Sequence, residues 1–101
     1  MYALIFHPEA DKEFAESVIW YEEQKEKLGE RFSNAIEEII ERIQTHPESF
    51  GYSKRPFREA SVKTFPFTII YKVNKTKQLI SIVSIYHAKR NPKKKYRRIS
   101  R

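Results

Sequence analysis

The chain has 101 residues, of which 40% are hydrophobic and 14% aromatic, and this predicts one folded domain over residues 1–101 rather than a disordered segment. It contains no cysteine, so disulfides and thiolate metal sites are excluded, and no apolar run reaches the ~18 residues of a membrane span. The N-terminus lacks the basic segment of a secretory signal, so we expect a cytoplasmic protein that does not contact a membrane.

The net charge of +7 is unevenly distributed along the chain. Residues 1–50 carry five Lys and Arg against twelve acids, whereas residues 51–101 carry fifteen against Glu59 alone. This asymmetry indicates that the second half meets a polyanion or an acidic partner, with a simple solubilising bias as the alternative.

The first third of the chain has the pattern of a strand followed by a helix. Residues 2–6 form an apolar run that His7 and Pro8 stop, which predicts a strand. After Glu9, apolar residues recur at helical spacing, at Ala10, Phe14, Val18 and Tyr21. We interpret Gly29 as the glycine that follows the end of this helix.

A second amphipathic helix follows with almost no connecting loop. Its apolar face consists of Phe32, Ala35, Ile36, Ile39, Ile40 and Ile43. Pro47 ends it, because the residue before a proline avoids the α region. The two helices should therefore form an antiparallel helical hairpin.

The second half predicts three strands after a loop over residues 48–56. The first strand covers about residues 58–64, and two apolar, β-branched runs at residues 67–73 and 79–86 form a central antiparallel hairpin. The order β-α-α-β-β-β predicts an α+β fold in which the helical hairpin packs on one face of an antiparallel sheet.

Short motifs extend in order along nearly the whole chain. They are HPEA at the first helix, Trp20-Tyr21, Gly29-x-x-Phe32, Pro47-x-x-Phe50, Arg58, FPFTIIYKV and HAKRNP. In this order they resemble the RelE/ParE family of toxins from type II toxin–antitoxin systems. The resemblance implies the RelE/ParE-like fold and a small basic toxin that arrests growth. It also implies a cognate antitoxin as partner, which would cover the helices or add a strand to the sheet edge.

The resemblance leaves the target open among three functions. ParE-like members poison DNA gyrase, whereas RelE-like members are ribosome-dependent mRNA interferases, and an inactive relative would only bind its antitoxin. RelE-like nucleases usually carry an Arg at the place that Thr68 holds here, and Thr lacks the cationic fork that stabilises phosphorane-like charge. We therefore favour the gyrase target, while activity as a metal-independent endoribonuclease stays open.

The candidate catalytic residues are His87, Arg90 and Arg58. His87 and Arg90 come directly after a central strand, so they should stand at the rim of the sheet. Histidine titrates near neutrality and can act as acid or base, and arginines can neutralise a phosphate. The alternative is structural, with His87 capping the strand end and Arg90 binding an antitoxin carboxylate.

The basic tail over residues 93–101 is the second candidate site. Lys and Arg can neutralise phosphates, and a tyrosine can stack on a base. The predicted target-binding residues are Lys63, Lys89, Lys93, Lys94, Lys95, Tyr96, Arg97 and Arg98. A solvated tail is the alternative. We predict no metal and no cofactor, because no histidines share a metal-ligand spacing with acids and the two glycines form no phosphate loop.

Overall fold

A computed structural model describes residues 1–89 and has two helices and five strands in this part of the chain. The elements are β1 (Ala3–Phe6), α1 (Pro8–Gln24), α2 (Leu28–Thr45), β2 (Tyr52–Lys54), β3 (Phe57–Ser61), β4 (Phe67–Asn74) and β5 (Leu79–His87). This order confirms the predicted α+β class. Neither helix combines the length and apolar character of a membrane span over the residues described.

The five strands form one sheet in the order β1-β5-β4-β3-β2. Its centre is the antiparallel β4–β5 hairpin that the sequence predicted. The prediction of a wholly antiparallel sheet was wrong at one pair, because β1 runs parallel to β5, with Ala3 opposite Leu79. A parallel pair needs a long crossover connection, and here the helices and the other strands supply it.

Strand β2 lies in the segment that was predicted to be a loop. It has three residues, all of them exposed, and pairs with β3 through an irregular register. Because an exposed three-residue edge strand shows no apolar alternation, the sequence gives no pattern from which to predict it. Strand β2 therefore forms the edge of the sheet next to β3 and Arg58.

The hydrophobic core lies between the helices and the inner face of the sheet. Helix α2 contributes Phe32, Ile36, Ile39 and Ile43, and the sheet contributes Ala60, Phe67, Ile69, Tyr71, Ile80, Ile82 and Ile85. These side chains are all at most 5% exposed. The predicted apolar face of the second helix is therefore the one that is buried.

The junction between the helices differs from the prediction that Gly29 follows the end of the first helix. Helix α1 ends at Gln24, and Gly29 lies in the first turn of α2. A Cβ on Gly29 would lie 2.6 Å from the backbone oxygen of Val18, so glycine is present because the helices approach closely. The residue with left-handed backbone is Lys27, with φ 67°.

Side chains cap both helix starts. The N–H of Glu9 donates to His7 Nδ1 over 3.1 Å at the start of α1. At the start of α2, the Glu22 carboxylate accepts the N–H groups of Lys27 at 2.9 Å and Gly29 at 3.0 Å. The carboxylate satisfies N–H groups that have no partner within the helix and complements the positive end of its dipole.

Beyond β1, the edge of β5 is closed by a side chain of α1. The Glu13 carboxylate accepts the N–H of Ile85 at 3.1 Å and the hydroxyl of Ser84 at 3.2 Å. A bonded edge amide no longer offers a template for another strand. The two strands that end the sheet, β1 and β2, are thus the places where an added strand would pair.

Candidate functional site

Two of the three predicted catalytic residues, His87 and Arg58, lie on different parts of the sheet. His87 ends β5 opposite Phe67, whereas Arg58 lies in β3 opposite Tyr71. Phe67 and Tyr71 are four residues apart on β4, so the two positions are separated by about 13 Å along the strand. The fold therefore does not bring Arg58 and His87 together around one phosphate.

His87 is half-buried and packs against a core aromatic ring. Its imidazole lies edge-on to Phe67, with ring centroids 5.4 Å apart. Its Nδ1 accepts the N–H of Lys89 over 3.1 Å, which ties down the turn after β5. Since Nδ1 is an acceptor, the neutral ring carries its proton on Nε2. This bond is compatible with a strand-end role for His87, which was the predicted alternative to catalysis.

Arg58 is directed at the loop that follows α2. Its guanidinium donates to the carbonyl of Phe50 at 2.6 Å and to the hydroxyl of Tyr52 at 3.0 Å. It also lies 4.0 Å from the centroid of the Tyr52 ring. With donors committed to a carbonyl and a hydroxyl, this side chain holds the loop against β3.

Tyr71 anchors the same loop from the core side. It is fully buried, and its hydroxyl donates to the carbonyl of Pro47 at 2.5 Å. Burial raises the pKa of Tyr71 from 10.0 to about 12, because the phenolate would lose its hydration. Arg58 and Tyr71 together fix the chain between α2 and β2.

The raised pKa of Tyr71 predicts a loss of stability at alkaline pH. Between about pH 10 and 12 the unfolded chain releases the phenolic proton while the folded chain keeps it. The free energy of unfolding should then fall with rising pH, by about 2–3 kcal/mol at pH 12. Urea titrations of the parent and of Tyr71→Phe at pH 8 to 11.5 measure this. At pH 8 the free energy of unfolding of the variant should be about 1 kcal/mol lower than that of the parent, and it should fall less as the pH rises. An equal fall in both proteins would contradict the raised pKa of Tyr71.

The outer face of β4 holds Thr68, at the place where RelE-like nucleases carry an arginine. Thr68 is 8% exposed and lies between Ser61 of β3 and Tyr86 of β5. The Tyr86 hydroxyl donates to the Glu59 carboxylate over 3.2 Å. Among residues 1–89, the ladder positions around Thr68 thus supply a carboxylate and two hydroxyls instead of a cationic fork.

The remaining predicted site residues fall into two groups. Lys63 and Lys89 are exposed in the turns that flank β4 and β5, at the same end of the sheet as His87. The others lie outside the described residues: Arg90, Lys93, Lys94, Lys95, Tyr96, Arg97 and Arg98. For these, the predicted target-binding role stays a prediction.

A second group of cations, which no sequence pattern revealed, lies at the opposite end of the sheet. Five exposed residues there, which we call the turn-end cluster, are Lys54, Arg55, Lys72, Lys75 and Lys77. They occupy or flank the β2–β3 and β4–β5 turns. Recognising the two turns as neighbours would have revealed the cluster, but that requires the sheet order.

Comparison with known proteins identifies the family of the chain. Residues 4–92 match the family model for the ParE toxin of the type II toxin–antitoxin system parDE. The fold matches the isolated RelE toxin of E. coli with a TM-score of 0.68 and 19% identity, covering 98% of this chain and 99% of that one. It also matches a chromosomal ParDE system of P. aeruginosa, with a TM-score of 0.63 and 17% identity, covering 88% of this chain and 98% of that one.

At these identities the two structural matches concern the fold, whereas the family match covers most of the sequence. No curated protein matches the chain at a significant level. The RelE/ParE resemblance inferred from the motifs is thereby confirmed. This chain belongs to the ParE toxin family of type II toxin–antitoxin systems, with a cognate antitoxin as its partner.

Proposed function

We propose that this toxin arrests growth by poisoning DNA gyrase in the cytoplasm and that its cognate antitoxin neutralises it. The observation that carries the proposal is the family match over residues 4–92, which is to the ParE branch. Gyrase is the target that resemblance to ParE-like members implies. On this basis the toxin is a binder whose action needs contact with the target and no bond-making chemistry of its own.

The chemistry of the outer face supports this choice over mRNA cleavage. Metal-free RNA cleavage needs a base for the 2′-OH, an acid for the leaving oxygen and cations for the phosphate. In the described residues, the Glu59 carboxylate lies beside the Thr68 position, where it would repel a phosphate. Arg58, about 13 Å along the sheet from His87, is bound to the loop after α2.

Induction of the toxin in cells should separate the remaining functions. We expect gyrase-dependent DNA breaks and an SOS response while mRNA stays intact, and purified toxin should trap cleaved DNA in a gyrase assay. Rapid mRNA cleavage at the ribosomal A site would instead establish the RelE-like function. Unaffected growth, with antitoxin binding retained, would leave the inactive relative.

His87→Gln gives a direct test of the non-catalytic proposal. The substitution removes the acid or base that a nuclease would use, so a nuclease would lose about 10²- to 10⁴-fold in rate. We expect growth arrest within about twofold of the parent, measured as the inducer dose that halves growth. Antitoxin binding by the variant controls for folding, and loss of arrest with binding preserved would count against the proposal.

A further inference from the structure

The order of the strands brings the residues of the turn-end cluster together. Phe57, at the start of β3, lies opposite Lys72, near the end of β4. The turn before β3 and the turn after β4 therefore lie at the same end of the sheet. This end faces away from His87, since Phe67 and Asn74 at the two ends of β4 are about 23 Å apart.

Few acids lie in the same segment of the chain as the cluster. Residues 46–81 contain seven Lys and Arg but only two acids, Glu48 and Glu59. Glu48 pairs with Lys75 over 3.1 Å, but both side chains are more than half exposed, so the pair is weak and screened by salt. Glu59 is hydrogen-bonded to Tyr86 on the outer face of the sheet. The five exposed cations of the cluster therefore outnumber the acids of this segment.

The spacing of the cations suits a row of phosphates. Neighbouring strands lie about 4.8 Å apart, so the β2–β3 and β4–β5 turns are separated by about 10 Å. A DNA strand carries one charge per about 3.4 Å of helix axis. Cations on the two turns are therefore close enough together to contact neighbouring phosphates of one strand.

We propose that the turn-end cluster binds the phosphate backbone of duplex DNA without regard to sequence. This goes beyond the choice of target, because it holds whether or not gyrase is the protein that is poisoned. It would place the toxin on the same polymer as any DNA-bound target. The surroundings of Tyr52 favour a duplex over a single strand.

Single-strand binding relies on free aromatic platforms on which bases stack. Tyr52 is the large aromatic side chain of this end that is exposed, at 45%, in the described part of the chain. Its ring is already covered by two guanidinium groups, with Arg58 at 4.0 Å and Arg55 at 4.5 Å from the ring centroid. Charge without a free stacking surface matches backbone contacts to a duplex.

The test compares two variants of the full-length toxin with matched composition. Arg55→Gln/Lys72→Gln/Lys77→Gln neutralises the cluster, whereas Arg31→Gln/Lys12→Gln/Lys25→Gln removes one arginine and two lysines from exposed positions around the helices. Both triples lower the net charge of +7 by three. Binding to a 20-base-pair duplex of random sequence is measured by fluorescence anisotropy between 50 and 200 mM salt.

We expect the cluster variant to bind the duplex at least about tenfold more weakly at 100 mM salt, and the control variant within about threefold of the parent. The slope of log affinity against log salt should become shallower by roughly 2 to 3 in the cluster variant alone. Equal losses in both variants would show a net-charge effect and overturn the proposal. An unchanged slope with weaker binding to polyglutamate would assign the surface to an acidic protein and also overturn it.

Discussion

Replacing Phe32 with alanine should lower the free energy of unfolding by about 3–5 kcal/mol. The Phe32 ring belongs to α2, is fully buried and contacts four other aromatic rings. They are Phe67 at 4.8 Å, Tyr21 at 5.0 Å, Phe65 at 5.2 Å and Phe14 at 6.0 Å between centroids. The substitution removes the apolar area and leaves a cavity that these rings, from α1, β4 and the β3–β4 loop, are too constrained to fill.

Urea titration followed by circular dichroism measures the effect of Phe32→Ala. Trp20→Ala is the matched control, because the Trp20 side chain is another large aromatic but is 50% exposed on α1. Trp20→Ala should lower the free energy of unfolding by less than about 1 kcal/mol. Similar losses in the two variants would contradict the position of the core between α2 and the sheet.

Gly29→Ala should destabilise the protein although alanine is the better helix former. Within a helix, alanine gains about 1 kcal/mol over glycine. At Gly29 the new methyl would lie 2.6 Å from the backbone oxygen of Val18 and 3.0 Å from Glu22 Cβ, so the two helices would have to move apart. Overpacking of this kind costs about 1–3 kcal/mol, so after the gain in helix propensity we expect a net loss of up to about 2 kcal/mol.

The control for this substitution is Gly51→Ala. A Cβ on Gly51 has no atom within 4 Å, and its backbone φ is not positive, so we expect a change within about 0.5 kcal/mol. Thermal and urea unfolding of both variants give the comparison. A stabilised Gly29→Ala variant would contradict the close approach of the two helices at Gly29.

The elements that sequence reasoning located are those whose pattern repeats over several residues. The β4 and β5 runs are rich in β-branched residues, and the α2 face repeats at 3.6 residues, so both were predicted within a few residues. The direction of β1 was not predictable, because a four-residue apolar run looks the same in a parallel and an antiparallel pair. Likewise, a glycine between two helices is compatible with a helix end and with a close approach.

The site was less predictable because its contacts join residues that are far apart in sequence. The partners of Arg58 include a backbone carbonyl, and no sequence pattern marks that acceptor. The Glu59 carboxylate beside Thr68 became visible only through the register of β3 with β4. The sequence alone showed that Thr68 stands where RelE-like nucleases usually carry an arginine. This favoured the ParE branch, which is the branch of the family model that matches.

The pairing of β1 with β5 also constrains when the toxin is complete during its synthesis. Ala3 and Leu79 are neighbours in the sheet, so β1 cannot form this pairing until β5 has left the ribosome. Until then, the apolar side chains of β4 and α2 lack part of their cover. A nascent toxin is thus unable to complete its sheet before β5 has been synthesised.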